Sequence, residues 1–567
     1  MGRKKIIILL ILCYVSIAFV QLVVPFDIDN RDQAMQGLYV LDVVQKGSFF
    51  LPTQCGQPTT KPPFYTWVAA GVSLALGKVT DFTIKLPAIF SGLGVVLITF
   101  LIAEMLFSRE VSLFAGLVLT LNVHFAHLIG IARTDMMLCF FISFSLYSFL
   151  LAYRQRNEKS IYNILLFVAM GLGSITKGPV AFLLPLLVIL IFLFFMRDLK
   201  WLKSMRVGIG STILLLIILG WFIPALVIGG RRFFNMIVLD EMVNYFLGTG
   251  WAQTRQIKPY FFIGHFFEKF LPWSLFVPSA IARYWKSKNG TKKEGLLFSI
   301  IWFLTIMTFF SLSKGRRSDY ILPLYPAAAL IVGQFWAALA NRNKPGGWKA
   351  HLRVLSLGYL IVNFCMIASL ITLLARQDLA QLIARIFPES SETIELLCRS
   401  MNTHTNLFLL AALPLAVLSI FGAALALRGN LKNLFIVLLV TAGFNLFLYF
   451  EFLSPEAGKL SGEQKKAFCS RVARKINSVE NLQFCNVESS VFFYMGKNVR
   501  PLNHHEVVEF FHGANHPYLI TTESDYVTLR ERVDFEFVLL EESEYLIREK
   551  TKYVLISKRK PLFDLNQ

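Results

Sequence analysis

Residues 161–196 read IYNILLFVAMGLGSITKGPVAFLLPLLVILIFLFFM. Two apolar runs, 161–176 and 179–196, meet at one cation in Lys177-Gly178-Pro179. Runs of this kind suit hydrocarbon, because a helix needs about 20 predominantly apolar residues to cross the bilayer core. The pattern recurs along the chain, at 6–24, 84–107, 111–129, 136–153, 207–228, 261–282, 295–313, 319–340, 354–375, 405–427 and 431–452, which with the first two predicts about 13 transmembrane helices. Composition agrees: the 567 residues are 55% hydrophobic and 16% charged, with a mean hydropathy of +0.57, whereas a soluble domain carries about 25% charged residues. The chain reads as an α-helical integral membrane protein.

There are 56 Lys+Arg against 36 Asp+Glu, a net charge of +20. These cations sit in short loops between apolar runs, so they act as orientation signals and exclude a nucleic-acid-binding reading. With the N-terminus cytoplasmic, the loops 154–159, 197–206, 283–293, 342–353 and 428–432 share that side, and all are basic. An odd number of spans then puts 454–567 on the outer face. The first run follows Arg3, Lys4 and Lys5 and lacks a small-x-small cleavage site, which predicts an uncleaved helix.

Two stretches depart from the apolar pattern. Residues 25–80 hold Pro52, Pro58, Pro62 and Pro63 and show weak amphipathic periodicity at 30–46 and 63–77, which predicts two short outer-face helices. Residues 454–567 mix charged segments with strand-like runs at 518–520, 535–540 and 553–556, which predicts a small extracytoplasmic α/β domain behind a membrane domain of 1–453. The seven Cys include no CxxC and no metal-site spacing; Cys469 and Cys485, both in the tail, are the one pair expected to be able to meet.

On this topology the ionisable groups gather on the outer side. A transporter would place them near mid-span, usually within an internal repeat, and no repeat is visible. Lys314-Gly315-Arg316-Arg317 runs against the positive-inside pattern. Its cations suit either headgroup contacts at the boundary or an anionic substrate, since Arg and Lys are the usual partners of phosphate oxygens. Carboxylates such as Asp29 and Asp135 can serve as general base or stabilise positive charge on a sugar ring, while Lys and Arg hold a phosphate leaving group. Asp29 equally suits the N-cap of a helix opening near Arg31, and Asp135 equally suits pairing with Arg133. Lys61 suits interfacial snorkelling as well as phosphate contact. Lys177 has no carboxylate near it in sequence.

The motifs, taken in order, resemble a family. Asp29, Gly47-Ser48-Phe49-Phe50-Leu51-Pro52, Lys61-Pro62-Pro63-Phe64-Tyr65-Thr66-Trp67, Arg133-Thr134-Asp135 and Thr176-Lys177-Gly178-Pro179-Val180-Ala181 resemble the polyprenyl-phosphate-sugar-dependent membrane glycosyltransferases. The likeness is greatest to the lipid A aminoarabinose transferase branch, which is related to the protein O-mannosyltransferases. Residues 241–248, Lys258-Pro259-Tyr260, Leu271-Pro272-Trp273-Ser274 and 311–326 extend the likeness to about residue 340. It implies a GT-C fold and a catalytic acid on the first outer loop, matched by Asp29, with Asp135 as a second catalytic candidate. Lys61, Arg255, Lys258, Lys314, Arg316 and Arg317 become candidates for the donor phosphate, and Arg31, Lys177, Glu241, Tyr320 and Tyr325 for the substrates. Where relatives carry an acidic pair after the catalytic Asp, this chain has Asn30, and where the aminoarabinose branch often has Glu before Lys-Pro-Pro it has Thr60. A divalent metal is therefore left open as the one cofactor.

The expected activity is inverting transfer of a sugar, 4-amino-4-deoxy-L-arabinose first among candidates, from undecaprenyl or a similar polyprenyl phosphate to a lipid or glycan acceptor. Lipid A is the favoured acceptor, at the outer face of a bacterial inner membrane. A lipid-linked sugar translocase and a protein O-mannosyltransferase-like enzyme acting on Ser/Thr are the alternatives.

Overall fold

A computed structural model describes residues 2–23, 28, 31–157, 159–244, 260–285, 291–313, 317–340, 347–375, 405–450, 463–513, 516–533, 535–544 and 551–558. The chain divides into two compact units. One comprises residues 1–23, 60–65 and 87–453, and the other residues 24–59, 66–86 and 454–567.

The first unit is helical. It opens with α1 (Arg3–Val23) and, after α2 (Arg31–Lys46) and α3 (Phe64–Ala75), continues with most of α4 (Asp81–Leu106). There follow α5 (Arg109–Thr120), α6 (Val123–Ile129), α7 (Thr134–Gln155), α8 (Ile161–Lys177), α9 (Val180–Phe195), the single turn α10 (Trp201–Ser204) and α11 (Val207–Phe234). Beyond the wide-wound segment Asn235–Asn244 come α12 (Phe261–Lys269), α13 (Val277–Trp285), α14 (Thr291–Leu312), α15 (Tyr325–Ala340), α16 (Gly347–Ala375), α17 (Thr405–Arg428) and α18 (Leu431–Leu448). Among the described residues nine helices are long and apolar enough to span, and α5 with α6, apolar enough only when taken together, are bent by 67° at their junction.

Among the described residues, the helices depart from the expected apolar runs in three places. The 111–129 run breaks where Asn122 caps α6, its Oδ1 accepting from Phe125 N at 2.8 Å. The 261–282 run is no continuous helix: it passes from α12 through a tight turn, Trp273–Phe276, to α13, because Pro272 has no N–H for the helical ladder. The runs at 161–176 and 179–196 form the apolar helices α8 and α9, of 17 and 16 residues, near the lower limit of a spanning length.

Packing is fixed by a few buried polar contacts in an apolar core. Tyr14 of α1 donates to Ile89 O at 2.5 Å, and Gln21 Nε2 donates to Ala126 O at 3.1 Å. Trp273, Trp302 and Trp336 are fully buried, and Trp302 Nε1 donates to Pro323 O at 3.0 Å. That bond holds the tight helix Ser318–Leu324, which leads into α15.

The second unit joins the first polar stretch to the tail. Besides α2, α3 and the short hairpin β1 (Thr53–Gln54) and β2 (Gln57–Pro58), it holds α19 (Glu463–Lys475), β3 (Leu482–Phe484), α20 (Ser489–Tyr494), α21 (His504–Gly513), β4 (Tyr518–Thr522), α22 (Glu523–Arg530), β5 (Phe537–Glu542) and β6 (Tyr553–Lys558). The sheet runs β3-β4-β6-β5; β3 is parallel to β4 and the other pairs are antiparallel. This is the α/β tail the strand-like runs predict. Asn498 ties α2 to the tail: Nδ2 donates to Leu38 O (3.2 Å) and Thr53 O (2.8 Å), and Oδ1 accepts from Cys55 N (2.7 Å). Gly37 lies under the Phe493 ring, where a Cβ would overlap ring carbons. Cys485 keeps a free thiol, so no disulfide joins it to Cys469.

Candidate active site

Helices α7 and α8 are consecutive and joined by a short loop, so antiparallel packing sets the start of α7 beside the end of α8. Arg133 precedes α7 in extended backbone, Asp135 lies in its first turn and Lys177 in the last turn of α8. Both charges suit the helix dipole, an anion at an N-terminus and a cation at a C-terminus. Gly178 follows with φ 87° and ψ −165°, a region open essentially to glycine, and Pro179 starts α9. The Lys-Gly-Pro motif is thus a helix stop and restart that presents Lys177.

These residues form a chain of charges. Lys177 Nζ pairs with Asp135 Oδ1, and Arg133 bridges Asp135 Oδ2 (3.0 Å) and Asp319 Oδ2 (2.8 Å). Asp319 Oδ1 meets His124 Nε2 at 3.2 Å and Lys269 Nζ at 3.5 Å, and Lys269 also donates to Ser318 Oγ at 2.7 Å. Asn122, already the cap of α6, donates Nδ2 to Lys269 O at 3.0 Å and so fixes the end of α12. Lys177 stands 4.5 Å from the centre of the Tyr320 ring, in cation–π range.

Above this chain lies a cavity of 320 Å³. Lys61, Asp135, Lys177, Asp319 and Tyr320 line its polar end, while Leu138, Val180, Leu183, Phe309 and Phe310 supply apolar wall. The lining holds two cations, Lys61 and Lys177, and two carboxylates, Asp135 and Asp319; Arg133 and Lys269, which do not line the cavity, pair with those carboxylates, so the cluster as a whole has more cations than anions. A cationic end on an apolar wall matches a phosphate that carries a hydrocarbon tail.

The structure therefore brings together Lys61, Asp135, Lys177 and Tyr320. Lys177 is corrected: it has a carboxylate partner, Asp135, invisible in sequence because the two lie on different helices. Tyr325 is fully buried and its hydroxyl meets His124 Nδ1 at 2.8 Å, so it supports the charge chain from behind. Arg317 leads into the Ser318–Leu324 helix and is not among the residues lining the cavity. Arg31 opens α2 in the second unit, and Glu241 lies in Asn235–Asn244. Asp29, Arg255, Lys258, Lys314 and Arg316 lie outside the described residues. Sequence reading missed His124, Lys269 and the role of Asp319; the signal was Asp319 inside the already notable 311–326 stretch.

A family model described as dolichyl-phosphate-mannose-protein mannosyltransferase matches residues 60–223, which include Lys61, Arg133, Asp135 and Lys177. An uncharacterized protein of Aquifex aeolicus is 25% identical over 297 residues, 52% of this chain and 56% of its own. The undecaprenyl phosphate-alpha-4-amino-4-deoxy-L-arabinose arabinosyl transferase of Pseudomonas aeruginosa strain UCBPP-PA14 is 28% identical over 319 residues, 55% of each chain. The chain thus spans about half the length of these curated relatives. The crystal structure of ArnT from Cupriavidus metallidurans bound to undecaprenyl phosphate superposes with a TM-score of 0.77 at 17% identity, covering 98% of both chains. Tail and helical units are both included in that superposition, so the chain is a multi-span membrane protein with the GT-C fold of ArnT.

Proposed function

We propose that this chain is an inverting glycosyltransferase that moves a sugar from a polyprenyl phosphate to a lipid or glycan acceptor. The observation that carries this reading is the cavity with Lys61 and Lys177 at one end and an aliphatic and aromatic wall along it. Lys61 and Lys177 neutralise the departing phosphate as the glycosidic bond breaks, a charge larger in the transition state than in the bound donor. Arg255, Lys258, Lys314 and Arg316 are proposed to contact the same phosphate, and Glu241 and Tyr320 the sugar or acceptor. Asp135 is already neutralised between Arg133 and Lys177, which favours a role in aiming Lys177 over one as base. Asp29 remains the proposed general base for an acceptor hydroxyl; against an acceptor phosphate, already anionic, it would stabilise positive charge on the ring.

The relatives' names make undecaprenyl phosphate the proposed donor lipid and 4-amino-4-deoxy-L-arabinose the sugar; lipid A, at the periplasmic face of an inner membrane, is the acceptor proposed from the resemblance of the sequence motifs. A donor panel decides the sugar. Purified chain in liposomes is given lipid A with undecaprenyl-phosphate aminoarabinose or with a hexose analogue, and acceptor mass is followed. A pentosamine gain lost in Asp29→Asn supports the full proposal, and a hexose gain redirects it to another sugar. Donor crossing the bilayer with no product at all would instead identify a translocase.

A further inference from the structure

In the second unit, three metal-ligating side chains from three separate elements converge. Cys485 follows the C-terminal end of β3, His504 opens α21 and Asp525 lies in the first turn of α22, just after β4. Since β3 and β4 are parallel, their carboxyl ends lie together, the place where open α/β sheets form ligand sites. The Cys485 Sγ, a His504 ring nitrogen and an Asp525 carboxylate oxygen all lie within 4.8 Å of one another, and His504 Nε2 stands 3.0 Å from Asp525 Oδ1. Tetrahedral ligands at zinc bond lengths sit roughly 3.3 to 3.6 Å apart, so closure needs only small rotamer shifts.

The surroundings support ligation. The second oxygen of Asp525 is held by Thr522 Oγ1 and by Asn486 Nδ2, each at 2.8 Å, the outer contacts that orient a metal-binding carboxylate. Asn486 takes a left-handed backbone, φ 52°, to aim that amide. Cys485 is 2% exposed beside Val507, Leu519 and Leu529, an apolar shell that shields a metal–sulfur bond from water.

We infer that Cys485, His504 and Asp525 form a binding site for a borderline divalent transition metal, zinc or cobalt, with a fourth position left to water or an exogenous ligand. One thiolate, one imidazole and one carboxylate select such an ion over magnesium or calcium, which take all-oxygen sites. The bound ion would clamp β3, α21 and α22 together. This site shares no residue with the charged cavity and does not depend on the transferase reading.

The test uses the full chain in detergent, stripped with a chelator and titrated with Co²⁺. One cobalt per chain is expected, with the near-ultraviolet absorption of a thiolate–cobalt bond. Cys485→Ser, which preserves volume, should lose that band, and the half-exposed His504→Ala should bind at least 10-fold more weakly while melting like the stripped wild type. A folded wild type that takes up no cobalt beyond the Cys485→Ser/His504→Ala double variant overturns the site. So does bound cobalt without a thiolate band, which would make Cys485 a core residue and His504–Asp525 a simple ion pair.

Discussion

At the scale of single residues, Asp135 is the most consequential side chain. Both of its oxygens are held by cations, Arg133 on one and Lys177 on the other, and its side chain is only 7% exposed. Removing one member of a buried ion pair strands the rest, at a cost of about 3 to 5 kcal/mol. Asp135→Ala should therefore lower the melting temperature in detergent sharply, and Asp135→Asn combined with Lys177→Met should cost less than the two changes summed. Additive losses would show that the pair is not coupled. The residue types at 133, 135 and 177 were legible in the sequence, and so was the pairing of Asp135 with Arg133; its pairing with Lys177 was not, since that joins positions 42 apart across two helices. His124 and Lys269 were illegible for a related reason. His124 lies inside the 111–129 run and Lys269, beside Glu268, inside the 261–282 run, and only the breaks next to α6 and α12 turn both toward Asp319.

At the scale of elements, helix ends carry the site. Gly178 adopts a backbone that an L-residue reaches only at a cost of about 1 to 3 kcal/mol. Gly178→Ala should destabilise the fold by that amount and lower transfer further by displacing Lys177; an unchanged melt would remove the glycine requirement. The apolar runs predicted where helices lie because hydrophobic length is local information. Their breaks depended on a cap at Asn122 and a proline at 272, single residues inside otherwise convincing runs. In the tail, Glu541 accepts from Lys475, and its carboxyl pKa lies below the usual 4.5 chiefly through that bond, with Arg471 helping. A depressed carboxylate pKa stabilises the folded state above the unfolded value, and the gain fades as pH falls through the folded value. Hydrogen exchange of β5 should thus be faster in Glu541→Gln than in wild type at pH 7, with the gap closing below about pH 4.5. A gap that persists in acid would contradict the ion-pair origin.

At the scale of the whole molecule, the second unit joins distant segments, with contacts between residues from 385 to 466 positions apart. Composition alone marked 25–80 and 454–567 as different from the apolar runs, and both are. Their association rests on contacts such as Ile28 N to Tyr494 Oη at 2.7 Å, separated by 466 positions, which no local pattern encodes. Asn498 is buried at the centre of that join. Asn498→Ala leaves Leu38 O, Thr53 O and Cys55 N short of a partner, a loss of about 1 to 3 kcal/mol for buried groups. Faster exchange should then appear in α2 as well as in the tail, whereas a change confined to the tail would show the join to be weak. For the first unit the decisive measurement is binding of undecaprenyl phosphate, read by native mass spectrometry from detergent micelles, in wild type, Lys61→Ala and Lys177→Met. If the charged end of the cavity cradles a lipid phosphate, wild type retains the lipid and each variant holds it at least 10-fold more weakly while remaining folded. Equal retention by all three would contradict the assignment of the cavity to the donor.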